Sequence, residues 1–518
     1  MKSIIPFLVG WFILLSACNK PKEIKPNILF VISDDQSYPH TSIYGTSWVN
    51  TPGFDRVGKE GLLFHNAFTT NAKCSPSRAS ILTGRDSWLL EEATNHVPYF
   101  PEKFTTFPEV LKAKGYETGY TGKGWAPGIA LKDGKKRDLI GKAYQDKKLV
   151  PPAKKISNID YFENFKLFLN EKPEDRPFFF WVGGHEPHRA YEYQVGITAG
   201  GKKINQIDKV PNHWPNSDNV RTDVLDYAFE IEHFDGHLVN IIDELEKRNL
   251  LENTIIIVTS DNGMPFPRVK GQVYPFDNRL PLAIRWGKGI KNPGRSIDDY
   301  FSFSDFAPTL INIVNIESHD MEAFSGKSWK SVFEGSPDEN LRDYMIIGKE
   351  RHDIGRENDQ GYPVRGIIAG NYFFSLNFEP ERWPAGNPET GYLNTDGSPT
   401  KTEILNLNRT GENAEYWNLS FGKRPAEELY DIDKDPECLN NLALDQNFSQ
   451  IKTKLKEQLM NDLKKQGDPR ALGNGNVFDQ YPYAGENVKN FYHRYMQGEK
   501  IPTHWVNPSD FEKTPPKK

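Results

Sequence analysis

Two groups of residues stand out for the chemistry their types and spacing allow. Cys74 opens the run Cys74-Ser75-Pro76-Ser77-Arg78-Ala79-Ser80-Ile81-Leu82-Thr83-Gly84-Arg85. A helix over Arg78 to Leu82 puts Cys74 at its start, where free backbone N–H groups and the helix dipole attract anions. Taken alone, a cysteine can also be a small buried hydrophobe. The second group is Asp34, Asp35, Asp261 and Asn262, all oxygen donors. They lack the cysteine and histidine clusters that zinc prefers, which points to a hard cation such as calcium. Taken singly, an Asp-Asp or Asp-Asn pair after a strand is also a common loop cap.

The elements that must position these groups are legible. Asn27 to Ser33 is a continuous apolar run of strand length, as a sheet buried on both faces requires, and Asp34 and Asp35 follow it directly. Phe178 to Val182 ends in Gly183-Gly184-His185, and Thr254 to Ser260 runs into Asp261-Asn262-Gly263. In open α/β sheets ligands gather beyond the carboxyl ends of the strands, so three such endings define one expected site. Apolar residues at helical spacing between Thr222 and Arg248 predict a helix feeding the third strand. Lys132 to Lys155 and Thr198 to Asn219 read as loops over the strand ends. After about residue 340 short aromatic and β-branched runs, Tyr344–Ile347, Gly366–Ala369 and Tyr372–Phe374, predict a small antiparallel sheet, and Phe448 to Lys465 predicts a helix.

The Cys74–Arg85 run resembles the signature of the type I, formylglycine-dependent sulfatases of the alkaline phosphatase superfamily: Cys-x-Pro-Ser-Arg followed by Leu-Thr-Gly-Arg matches at every defining position. The resemblance implies oxidation of Cys74 to formylglycine (3-oxoalanine), whose hydrate supplies the attacking oxygen. It implies one calcium ion on Asp34, Asp35, Asp261, Asn262 and residue 74. A sulfate ester is anionic and slow to react with water, so its cleavage needs a strong nucleophile, cations on the sulfuryl oxygens and a proton for the leaving oxygen. Arg78, Lys123 in Thr121-Gly122-Lys123-Gly124-Trp125, and Lys270 match the family's cations. Trp125 stands where members usually carry a histidine. His185-Glu186-Pro187-His188-Arg189 resembles the family's His-x-Pro-His segment, which makes His185 the expected acid and His188 a pocket residue. Arg268, Arg351 and His352 are expected sugar contacts. The branch looks closest to the heparan N-sulfatases and the bacterial polysaccharide sulfatases.

The expected fold is α/β, of the alkaline-phosphatase-like sulfatase type: a large mixed sheet between helices plus a smaller C-terminal α+β subdomain with an antiparallel sheet. The expected boundaries are a lipoprotein signal peptide at 1–17, a lipid-anchored linker at 18–26, the catalytic domain at 27–340, the subdomain at 341–466 and an extension wrapping the body at 467–518. Lys2, the apolar run Ile4–Leu15 and the lipobox-like Leu15-Ser16-Ala17-Cys18 predict export with lipid on Cys18, to the outer membrane of a Gram-negative bacterium facing periplasm or cell surface. With Cys18 lipidated and Cys74 modified, Cys438 has no disulfide partner among the three cysteines. A net charge of -6 over 518 residues offers no basic stripe for nucleic acid. The expected function is removal of sulfate from the sugars of a sulfated polysaccharide, an algal glycan such as ulvan or a glycosaminoglycan, after activation by a maturation enzyme. The alternatives are an N-sulfoglucosamine sulfohydrolase and a non-catalytic lipid-anchored glycan-binding protein.

Overall fold

The computed structural model describes residues 25–336 and 341–513; the N-terminal apolar run and Cys18 lie outside the described residues. A large sheet holds β1 (Asn27–Ser33), β2 (Leu62–Phe68), β3 (Glu117–Gly122), β4 (Lys142–Ala143), β5 (Phe178–Gly183), β6 (Thr254–Ser260), β7 (Arg279–Arg285) and β8 (Arg295–Ile297). Their order is β8-β2-β7-β6-β1-β5-β3-β4, with the short strand Phe301–Ser302 beside β2. β1 is parallel to β5 and β6, β5 is parallel to β3, and β7 runs antiparallel between β2 and β6. Ser33 stands opposite Ser260 and Ile32 opposite Gly183, so the ends of these strands are level.

The apolar runs are continuous because both faces of the sheet are covered. Helices α1 (Pro52–Glu60), α2 (Cys74–Thr83), α3 (Phe107–Ala113), α4 (Tyr161–Glu171), α5 (Asp218–Lys247) and α6 (Phe306–Ile313) form the outer layers. Ile28, Phe30 and Ile32 pack on one face with Ile81 and Leu82 of α2, Leu111 of α3 and Leu310 of α6. Leu29 and Val31 pack on the other with Val57 of α1, Phe165 of α4 and Leu238 of α5. Each fully buried side chain of this size contributes roughly 1.5–3 kcal/mol. Helix α5 starts four residues ahead of the expected Thr222 because Ser217 caps it, its Oγ accepting from the Val220 N–H at 3.2 Å.

The second sheet is antiparallel, in the order β9 (Tyr344–Lys349), β10 (Val364–Ala369), β11 (Tyr372–Asn377), β12 (Glu427–Asp431). Helix α7 (Ser449–Gln466) packs Leu455, Leu459 and Leu463 against it, and Trp88 from the large sheet's side joins the same cluster. The chain after Gly467 returns across both sheets' surroundings: Ala484 donates its N–H to Val97 O at 2.9 Å, and Asp510 pairs with Lys401 at 3.0 Å. Among the described residues no helix is long and apolar enough to cross a membrane.

Candidate active site

The level strand ends bring the acids together. Asp35 takes a left-handed φ of 71°, a conformation aspartate tolerates, and its N–H donates to Asp261 Oδ1 at 3.1 Å. Carboxylate oxygens of Asp34, Asp35 and Asp261 lie within 4.8 Å of one another, all buried. Buried like charges at this spacing persist only when compensated. Lys123 Nζ donates to Asp34 Oδ2 at 2.6 Å, Lys270 Nζ to Asp35 Oδ2 at 2.6 Å, and Arg78 Nε to Asp261 Oδ2 at 2.8 Å. Burial opposes ionisation of Asp34, yet Lys123, His188 and Arg78 hold it well below the usual carboxylate range. Burial and the charge of Asp34 push Asp261 up to about 6. Asn262 donates from Nδ2 to Asp35 Oδ1 at 2.7 Å, while its own Oδ1 is buried with no partner. Three carboxylates plus an orphaned amide oxygen fit a hard cation such as calcium.

Cys74 is the first residue of α2, and Lys73 at the N-cap makes no side-chain capping bond, so the first amides of the helix are left open. The Cys74 Sγ donates to Asp34 Oδ1 at 3.4 Å. Burial first, then Asp34, push the thiol well above its ordinary range, so at neutral pH it is no thiolate nucleophile. Arg78 is fully buried, with Nη1 donating to Lys123 O at 2.8 Å and Gly124 O at 2.9 Å. Its Nη2 has no partner and stands 3.9 Å from Asp34 Oδ1. Trp181 Nε1 shares Lys123 O at 3.0 Å, and Lys123 donates its N–H to Gly183 O at 2.8 Å. Glycine is required there, because a Cβ on Gly183 would meet Lys123 O at 1.8 Å.

A cleft of about 560 Å³ opens onto this cluster, lined among others by Cys74, His96, Lys123, His185, His188 and Glu230. His188 donates from Nδ1 to Arg189 O at 2.6 Å and presents Nε2 to Asp35 Oδ2 at 3.7 Å, in one group with Asp34 and Cys74. His185 also lines the cleft, and desolvation first, then Lys123 and Arg78, lower it to about 4 against the pull of Asp34. The indole of Trp125 donates to Ser75 O at 3.0 Å and meets Phe100 edge-on, bracing the start of α2 with no titratable group.

Three expected sugar contacts are corrected by the geometry. Arg268 is buried, donating to Leu419 O at 2.6 Å and Cys438 O at 2.5 Å and stacking over Tyr274, so it clamps the loop after β6 to the small-sheet region. Arg351 is buried as well, its terminal nitrogens donating to Tyr481 O at 2.9 Å and Pro482 O at 3.3 Å. His352, wholly buried, donates from Nε2 to Asn71 Oδ1 at 2.6 Å. None of the three lines the cleft.

Sequence reasoning missed Asp396, His96, Asp353 and Glu230. Asp396 accepts from Lys270 at 3.3 Å and groups with Asp35 and His188; burial opposes its charge, but Lys270 and His188 hold it down at about 2. Only a turn-rich stretch marks it in the sequence. Glu230, on α5, has a buried Oε1 without a partner.

A family model described as Sulfatase matches residues 26–316. The chain is 26% identical over 494 residues to human N-sulphoglucosamine sulphohydrolase, covering 89% of this chain and 93% of that protein. It is 27% identical over 456 residues to an ulvan-active sulfatase of Formosa agariphila, covering 86% of this chain and 81% of the other. The solved structure of BT4656 with its substrate D-glucosamine-2-N,6-O-disulfate superposes with a TM-score of 0.59 at 19% identity, over 86% of this chain and 98% of that one.

Proposed function

The chain belongs to the sulfatase family, and from that footing we propose that it hydrolyses sulfate groups on the sugars of a sulfated polysaccharide, an algal glycan such as ulvan or a glycosaminoglycan. The observation that carries this reading is the joining of Cys74, at an open helix N-terminus, with the cations Arg78, Lys123 and Lys270 around one set of oxygen donors. The named activities of the human and Formosa relatives support a sugar substrate.

Members of the family generally use calcium and formylglycine. Asp34, Asp35, Asp261, Asn262 and the oxygen of residue 74 would hold the cation, which would supply positive charge beside the sulfuryl group. As formylglycine, residue 74 offers a geminal diol, one hydroxyl suited to attack on sulfur and the other to releasing sulfate. The chain's own residues do the rest. Arg78 Nη2, the free donor of a buried guanidinium, and the ammonium groups of Lys123 and Lys270 bind anionic oxygens in a site shielded from water, where such contacts are strong. His188 gives the leaving oxygen its proton from the doubly protonated ring: Nδ1–H stays on Arg189 O, and the Nε2 proton, on the side of Asp35, is the one that faces the centre and is given up. We assign this role to His188 over the expected His185, which lines the same cleft but does not stand in the group with Asp34 and Cys74.

The test is sulfate release from digests of sulfated polysaccharides, with formylglycine at residue 74 verified by mass spectrometry. Release by the wild type and none by Cys74→Ala supports the reading; no release from any digest or aryl sulfate despite confirmed formylglycine ends it. The same proposal includes export and lipid anchoring at Cys18, supported by the apolar run Ile4–Leu15 and Leu15-Ser16-Ala17-Cys18. Cys18→Ala should then shift the protein from the membrane to the soluble fraction of its native host.

A further inference from the structure

His96 lies beyond the residues that the sulfatase chemistry needs, yet it lines the same cleft as Cys74 and Lys123. It is only 9% exposed, and its Nε2 is buried with no hydrogen-bond partner. The other ring nitrogen is firmly held. Nδ1 donates to Asp353 Oδ1 at 2.9 Å, and Asp353 Oδ2 pairs with Lys73 Nζ at 2.7 Å, directly before Cys74. The backbone is pinned too: His96 N–H donates to Arg351 O at 2.9 Å, and the Arg351 N–H donates to Asn95 Oδ1 at 3.0 Å.

This arrangement selects one tautomer. A carboxylate on Nδ1 keeps the proton there, leaving Nε2 as a lone-pair acceptor. An acceptor cannot bond a sulfate oxygen, which is itself an acceptor, so its complement is a hydrogen carried by the rest of the substrate. A buried polar atom without a partner costs about 1–3 kcal/mol, and a site built around one rejects molecules that leave it unpaired.

We propose that His96 is a specificity-determining residue: its Nε2 accepts a hydrogen bond from a hydroxyl or N–H group of the sugar that bears the scissile sulfate. Asp353, supplied by the segment after β9 of the small sheet, is the positioning residue that fixes the tautomer. The small-sheet region thereby reads the substrate through a histidine of the large domain, without touching it. This inference rests on the sulfatase reading.

The experiment compares wild type, His96→Ala, His96→Gln and Asp353→Asn on the sulfated oligosaccharide that the wild type cleaves best and on nitrophenyl sulfate, which carries neither hydroxyl nor N–H. His96→Ala should lower kcat/KM on the sugar about 10- to 100-fold, mainly through KM, while leaving the aryl ester within about twofold. His96→Gln, which keeps an acceptor, should recover part of the loss, and Asp353→Asn should fall between. Equal losses on both substrates, or no loss on the sugar, overturn the assignment. If His96→Ala does not fold, His96→Gln and Asp353→Asn decide it by the same sugar-to-aryl ratio. Failure of formylglycine-bearing wild type on both substrates overturns the sulfatase reading instead, and this assignment with it.

Discussion

Arg78 and Arg365 are both fully buried arginines set against pairs of carboxylates, and they differ in one respect. Every nitrogen of Arg365 is engaged: Nε on Asp468 at 3.0 Å, Nη1 on Lys349 O and Val364 O, and Nη2 on Glu350 at 2.8 Å and Asp468 at 3.1 Å. Arg470 closes the network by donating to both oxygens of Glu350. Arg78 is engaged through Nε and Nη1 and open at Nη2, beside Asp34 and Cys74. A buried guanidinium with no free donor joins parts of the fold, whereas one with a donor held open toward a cleft can take an anion. Arg268 and Arg351 follow the first pattern in their terminal nitrogens, which tie the two sheets' surroundings together and do not line the cleft.

The sharpest break of this contrast comes from exchanging charge for charge. Arg78→Lys should lower kcat for sulfate release by roughly 10²–10³-fold, the loss typical of an anion-stabilising donor, with the thermal midpoint moved far less. Arg365→Ala should instead lower the free energy of unfolding by about 3–5 kcal/mol, because Asp468 and Glu350 keep their buried charge, while sulfate release per folded molecule is unchanged. Reversed outcomes for the two would erase the distinction.

A smaller effect sharpens the open side. Calcium at a hundredfold excess over Kd should stabilise the wild type by about 2.7 kcal/mol. Asn262→Leu, which removes the orphaned oxygen, should need more calcium for the same shift in a thermal melt. Chelation should return each protein to its own calcium-free midpoint, from which its shift is read.

The effect that is smallest per step, a slope of stability with pH, probes the closed side. His213 is buried against Phe276, 3.5 Å from Glu437 near the small sheet, and burial lowers it to about 4. In the folded protein it is neutral, while the unfolded chain takes up a proton below about pH 6.5. Its contribution to stability is therefore present above pH 6.5 and is lost as the pH falls toward 4. Relative to His213→Phe, the wild type should lose up to about 1.4 kcal/mol per pH unit across that window in parallel denaturation curves.

What the sequence disclosed depended on locality. Asp34, Asp35, Asp261 and Asn262 directly follow strands whose apolar runs are readable, and Cys74 and Arg78 share one helix, so their meeting follows from a sheet with level strand ends. Asp396 and Asp353 reach the site from the region of the small sheet, through contacts distant in sequence, and nothing in their neighbours announces it. His185 and His188 belong to one legible motif, but which ring faces the centre depends on a side-chain bond to Arg189 O that no pattern encodes. Arg268, Arg351 and His352 show the reverse failure: a charged side chain near a motif reveals its type and not its direction.

Lys123 O is where Arg78 Nη1 and Trp181 Nε1 both terminate, on the residue whose own amine grips Asp34, and Gly183 leaves room for that carbonyl. The guanidinium and the ammonium thus share a common mount made of main chain. A disturbance at the end of β3 carries both charges along together instead of spreading them apart, so this corner of the site moves as a single jaw with a preset gape.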